Sequence, residues 1–175
     1  MGATGTNSGS NNIAIGAGAG RVINNADANI YIGKNAGILA DGESNNTALG
    51  HYALAGSVAG AEKCVAIGNY ALGVNTSGDG NTAVGYYASN ANAGGEKNTS
   101  VGYQSHLNIT GTSENTLIGY QAGRGQSGEA GGHANVAVGK GAYYQWTTGS
   151  QNVLMGKDAG YKIRSGTGNV VLGYQ

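Results

Sequence analysis

One eight-residue pattern constrains this chain more than any other feature: Asn, a β-branched residue, a small or apolar residue, Val/Ile/Leu, Gly, two variable residues and Ala. It recurs as Asn12–Ala19, Asn29–Ala36, Asn46–Ala53, Cys64–Ala71, Asn81–Ala88, Asn98–Ser105, Asn115–Ala122, Asn135–Ala142 and Asn152–Ala159, and a tenth copy begins at Asn169. The pattern's glycines, from Gly16 to Gly173, are spaced by 17, 17, 18, 17, 17, 17, 20, 17 and 17 residues. A fixed period of this size is the mark of a solenoid, in which each repeat buries its apolar side only by stacking on its neighbours.

The composition agrees with a thin, lengthwise core. There are 35 Gly among 175 residues, no Pro and no Phe, too few large apolar side chains for one deep core. The glycines are periodic and alternate with apolar pairs, which argues against disorder. Charged residues make up 10% and the formal net charge is zero, so the totals give no electrostatic case for nucleic acid or an anionic membrane. The single cysteine, Cys64, excludes an internal disulfide and reads as a small buried residue. Met1 is followed by no basic or apolar leader, and no run is long enough to span a bilayer. The chain stops within a repeat, so a fragment of a longer polypeptide is expected.

Residues 1–11 form a polar lead-in, and 12–175 form the repeat domain. Positions two and four of each copy, such as Thr82 and Val84, lie two apart and share one face of a strand. Their β-branched character places that face inward. Position three then points outward, yet it holds Ala14, Tyr31, Ala48, Ala66, Ala83, Ser100, Leu117, Ala137, Leu154 and Val171. A continuous apolar column on an outer face marks an interface, so these ten residues are expected to meet another chain. The repeated Asn at position one is expected to hydrogen-bond up the stack as a ladder. The variable half of each repeat, for example Gly37–Ala40, Leu107–Thr110 and Tyr161–Arg164, reads as a second short strand. The expected fold is an all-β solenoid of about ten 17-residue rungs, roughly 45 Å long at ~4.8 Å per rung.

Two repeats carry extra residues, within Ser57–Lys63 and Arg124–Ala134, and insertions in solenoids become loops on one face. Tyrosines recur in register: Tyr86, Tyr103 and Tyr120 in one column, and Tyr52, Tyr70 and Tyr87 in the next. Tyr143, Tyr144, Trp146 and Tyr161 follow the longer insertion, and with Arg124 and His133 they form a candidate glycan platform. No nucleophile or acid–base constellation appears, so an enzyme is not expected. Gly123–Gly128 matches a dinucleotide-loop pattern but lacks its strand and helix context. His51, His106 and His133 have no metal-site spacing, and the calcium-binding nonapeptide is absent, so no metal or cofactor is expected.

Units such as Asn81-Thr82-Ala83-Val84-Gly85-Tyr86-Tyr87-Ala88 and Asn115-Thr116-Leu117-Ile118-Gly119-Tyr120-Gln121-Ala122 resemble repeats in tail-fibre proteins of tailed bacteriophages. They are also similar to the head repeats of trimeric autotransporter adhesins, whose period is somewhat shorter. The resemblance covers Asn12 to Gln175. It implies a homotrimer of left-handed parallel β-rolls, located in a virion fibre or, alternatively, on a bacterial surface. It further implies a structural role with contact to a host-surface polysaccharide, and no nucleic-acid or membrane partner. An ice-binding solenoid is a third reading, set aside here because Thr47, Thr82, Thr99 and Thr116 are interrupted and placed inward.

Overall fold

The computed structural model describes residues 9–57, 60–126 and 129–174. It is an all-β parallel solenoid of about nine turns, without helix among the described residues. Each copy of the pattern contributes one three-residue strand. These are β1 (Ile13–Ile15), β2 (Ile30–Ile32), β3 (Thr47–Leu49), β4 (Val65–Ile67), β5 (Thr82–Val84), β6 (Thr99–Val101), β8 (Thr116–Ile118), β10 (Val136–Val138), β11 (Val153–Met155) and β12 (Val170–Leu172). They form one ten-stranded parallel sheet in chain order. The register is residue for residue, for example Ala66 with Ala83 and Ala83 with Ser100. Equivalent positions therefore stack into straight columns.

Each strand stops at the position-five glycine. At Gly85 φ is +139°, and a Cβ would lie 2.4 Å from the carbonyl oxygen of Gly102 in the next rung. Only glycine permits both the conformation and the approach. The corner that follows uses left-handed backbone even at residues with side chains. Tyr52, Tyr70 and Tyr87 have φ of 54°, 61° and 56°, and Leu54 and Leu72, two positions on, both have 49°.

The expected second strand is largely replaced by turns. Among the described residues only β7 (Ile109–Thr110) and β9 (Glu129–Ala130) pair as strands there. The left-handed residue at position nine, such as Gly37 or Gly160, curls the chain before it can extend. Rung-to-rung bonding continues all the same: the N–H of Leu72 donates to the Ala88 carbonyl at 3.0 Å, and that of Val74 to the Asn90 carbonyl at 3.0 Å.

The structure reverses the expected faces of the strand. The position-three column is inside the coil: Tyr31, Ala48, Ala66, Ala83, Ser100, Leu117, Ala137 and Leu154 are each 0% exposed within a single chain. Ala14 and Val171, in the terminal strands, are partly buried against the same core. The eight buried residues are therefore closed to another chain. They are small on average because the lumen is narrow, and position nine shares it. Where position three is large, position nine is glycine: Tyr31 with Gly37, Leu117 with Gly123, Leu154 with Gly160. Where it is small, position nine is large: Ala48 with Leu54, Ala66 with Leu72, Ser100 with His106, Ala137 with Tyr143. A Cβ on Gly37 would sit 2.5 Å from the Tyr31 ring, and one on Gly160 would sit 2.0 Å from Leu154 Cδ2. Seven rungs thus fill their share of the lumen with one large and one small side chain, as close packing requires, whereas Ala14 with Gly20 and Ala83 with Ser89 are small at both positions and lie against the large Tyr31 and His106 of the next rung.

The asparagine ladder forms as expected. The backbone N–H of Asn98 donates to Asn81 Oδ1 at 2.9 Å, and the Asn98 Nδ2 donates to the same oxygen at 3.0 Å. Asn115, Asn135 and Asn152 repeat the arrangement. The Nδ2 groups also reach across the coil to turn carbonyls, such as Thr112 and Gly149, and so hold each rung closed. Cys64 interrupts the column. Its N–H still donates to Asn46 Oδ1 at 2.9 Å, but its buried thiol offers the next rung only sulfur.

Candidate functional site

Because position three turns inward, positions two and four form the outer face of the sheet. One column runs Ile13, Ile30, Thr47, Val65, Thr82, Thr99, Thr116, Val136, Val153, Val170. The other runs Ile15, Ile32, Leu49, Ile67, Val84, Val101, Ile118, Val138, Met155, Leu172. Neither column contains a charge. Away from the terminal strands, Leu49 is 44%, Ile118 38% and Met155 44% exposed. The face is roughly 43 Å long and, at two side-chain columns, about 10 Å wide.

The tyrosine columns border this face. Tyr86, Tyr103 and Tyr120 are exposed and stack at 5.5 and 5.3 Å. Tyr52, Tyr70 and Tyr87 are half-buried in the next column and stack at 5.5 and 4.7 Å. Beyond Tyr120 the outer column changes chemistry, to Lys140 and then Lys157. Lys140 Nζ lies 5.7 Å from the centre of the Tyr120 ring.

The structure divides the expected glycan platform. Tyr143 and Trp146 are fully buried and stack at 5.2 Å. The Tyr143 hydroxyl accepts a hydrogen bond from Asn152 Nδ2 at 3.0 Å, and Trp146 Nε1 donates to the Gly149 carbonyl at 3.0 Å. Burial pushes the Tyr143 phenol up to about 12. Both rings fill the coil beside the longer insertion and are closed to a ligand. His133 lies elsewhere, where its Nδ1 accepts the Ser113 N–H and its own N–H donates to Ser150 Oγ, both at 3.0 Å. Tyr144 and Tyr161 do stand at the surface as a stacked pair, 4.7 Å apart and 4° from parallel. Arg124 continues that stack, donating to the Tyr144 hydroxyl at 2.6 Å. Ser127 and Gly128, within the insertion and the dinucleotide-like pattern, lie outside the described residues, as do Val58 and Ala59 of the shorter insertion.

Between the Tyr120–Lys140–Lys157 column and the Tyr144–Tyr161 pair lies an open hollow of about 650 Å³. No family model, curated protein or solved structure matches this chain. Its chemistry therefore rests on its own geometry. Gly141 forms the floor, Gln121 and Asp158 flank it, and Lys162 stands at the outer edge. The column of Gly141 holds Gly18 and Asn35 in the first two rungs and Tyr52, Tyr70, Tyr87, Gln104 and Gln121 in the next five, so Gly141 leaves out a side chain that the five preceding rungs carry at this edge of the hollow. That substitution was the sequence signal for this site, together with the change from Tyr to Lys in the adjacent column.

The zero net charge also conceals a polarity along the rod. Residues 1–123 contain four Lys/Arg and seven Asp/Glu, whereas residues 124–175 contain five and two. The hollow lies in the basic part. Among the described residues no group of three or more His, Cys, Asp and Glu is placed to hold a metal ion, and no helix is long and apolar enough to cross a membrane. His106 is fully buried between Ser89, Ser100 and Thr112, and burial lowers its imidazole to about 3, so it is a neutral core residue.

Proposed function

We propose that this chain is a self-associating segment of a structural fibre of the bacteriophage tail-fibre type. Three copies would pack side by side through the outer face of the ten-stranded sheet. The observation that carries this is the uninterrupted, uncharged pair of columns at positions two and four. At roughly 43 by 10 Å, about 430 Å², the face is the size of the largest apolar patches on soluble monomers, roughly 300–600 Å², which are often functional. Paired with an equal face and widened by Tyr86 and Tyr103, it buries roughly the 1,000 Å² that a specific contact needs. The occupant is another copy because the face repeats at the rung spacing, which only an equally periodic surface matches along its length. The rod then spans distance, and its corners remain available to touch a host surface. The head of a bacterial trimeric adhesin would use the same association. The flanking gene separates the two: a C-terminal chaperone domain belongs to the fibre, a membrane-anchor barrel to the adhesin.

Light scattering tests the association. The expected mass is three times the 17.3 kDa chain. Val101→Lys, in the outer column, should yield a folded monomer. A wild-type monomer over the whole accessible concentration range refutes the proposal. The outward direction of Thr82, Thr99 and Thr116, stacked in direct register, also favours a second reading, an ice-binding face. Thermal hysteresis in the wild-type protein, lost in Thr99→Lys, would establish that reading instead.

A further inference from the structure

We propose that the hollow between the Tyr120–Lys140–Lys157 column and the Tyr144–Tyr161 pair binds an acidic oligosaccharide, a carboxylated glycan chain lying along the rod. This deepens the surface-contact part of the reading above, and it uses a corner of the coil, not the sheet face. Four features support it. The hollow is opened by omission, since Gly141 replaces the Tyr or Gln of the five preceding rungs. At about 650 Å³ it falls within the range of ligand pockets. Its cations are available: Lys140 and Lys162 have no carboxylate partner among the described residues, and Lys157 meets Asp158 at 3.4 Å and lies 4.7 Å from the centre of the exposed Tyr174 ring. Lys140 and Lys157 stand one rung apart, ~4.8 Å, so an extended chain of anionic residues meets successive cations.

The other wall groups select among anions. Asp158 and Gln121 supply acceptors, and the hydroxyls of Tyr120, Tyr144 and Tyr161 supply both donors and acceptors. The carboxylate in the wall accepts hydrogen bonds from sugar hydroxyls, which an inorganic polyphosphate lacks, and so offsets for a glycan the repulsion it exerts on any polyanion. Tyrosine rings add apolar area against sugar C–H faces while keeping a polar tip. Arg124, stacked on Tyr144, holds that ring in place from the rung before. Repetition of the hollow on each copy of an assembled fibre raises the overall affinity without any new contact.

The test is calorimetric titration of the whole chain with oligogalacturonate, with an uncharged dextran oligomer and a single-stranded oligonucleotide of equal length as controls. Light scattering on the same samples reports association. The acidic oligosaccharide should bind at least about tenfold tighter than either control, the scale of one charge-assisted hydrogen bond. Gly141→Gln places a side chain in the hollow and displaces the Asp158 carboxylate beside it without altering a charge, and it should weaken binding at least about tenfold while the chain still melts cooperatively. The neighbouring Gln121 holds the same conformation at φ 55°. The double change Lys140→Gln and Lys157→Gln should do the same if Gly141→Gln does not fold. Equal binding of dextran, tighter binding of the oligonucleotide, an unaltered affinity in both variants, or no acidic binding at millimolar concentration each overturns the proposal. In the wild-type protein, no binding with intact association refutes the pocket alone. Lost association with intact binding refutes the fibre contact alone.

Discussion

Exchanging the large and small partners of one rung tests the core most directly. Leu117 is 0% exposed and lies across the lumen from Gly123, whose added Cβ would meet Leu117 Cδ1 and Cδ2 at 2.7 and 2.8 Å. Leu117→Ala alone leaves a cavity and should cost about 2–5 kcal/mol. Gly123→Leu alone forces a second large side chain into filled space, costing about 1–3 kcal/mol. It also places a Cβ on left-handed backbone at φ 59°, for a further ~1 kcal/mol. Together the double variant has the arrangement that rungs three and four already use, Ala48 with Leu54 and Ala66 with Leu72, the leucines at φ 49°. Its packing is restored, and only the backbone term of ~1 kcal/mol remains. The singles would sum to about 4–9 kcal/mol, so the coupling energy should be at least about 3 kcal/mol, the upper end for contacting residues. Equilibrium urea unfolding of the four proteins measures it. Additive losses within about 0.5 kcal/mol would show that the two positions do not share one volume, and the account of the lumen would fail.

Three further outcomes are expected. His106 has a folded-state value lowered to about 3 by burial, below the ordinary 6.5, so the folded state binds fewer protons than the unfolded. Stability should therefore be fully present above about pH 6.5 and fall by up to about 1.4 kcal/mol per pH unit as pH drops towards 3. Urea midpoints between pH 7 and 4 should show this slope, and a His106→Gln variant with the same slope would refute it. Cys64 is buried and its thiol is pushed up to about 11, mainly by desolvation, so it should resist a thiol reagent in native buffer and react only on unfolding. Ala83→Lys should unfold the chain by placing an unpaired charge in the lumen, at a cost of at least about 3 kcal/mol, whereas Val101→Lys should remain folded and melt cooperatively. Circular-dichroism melts that rank the two variants in the opposite order would invert the assignment of faces.

The mistaken face has an instructive cause. Val, Ile and Thr at positions two and four look like core residues, and Ala at position three looks dispensable. Yet Asn at positions one and Ala at position three lie two apart and must share a face. The Asn ladder works only where water is excluded, and Asn81 and Asn98 are 0% and 1% exposed. Placing the asparagines in a ladder and position three outside was therefore inconsistent in parity. The compensating pairs six residues apart, Leu117 with Gly123 and Ala137 with Tyr143, were also present to be read. The site was less legible. Tyr143, Tyr144, Trp146 and Tyr161 cluster in sequence, but a corner sends Tyr143 inward and Tyr144 outward, so adjacency in the chain did not predict a shared surface.

The sequence by itself determined that the chain is a stack. A 17-residue period forces equivalent residues into columns, and columns of Asn, Gly and Tyr bond or stack only with their own copies. What it did not determine was which columns the coil encloses. That depends on the width of the lumen, which the left-handed corners at positions five, seven and nine set. The structure decided it by matching volumes across the coil, which turned Ala83 inward, left Thr82 and Val84 on the surface, and opened the hollow over Gly141.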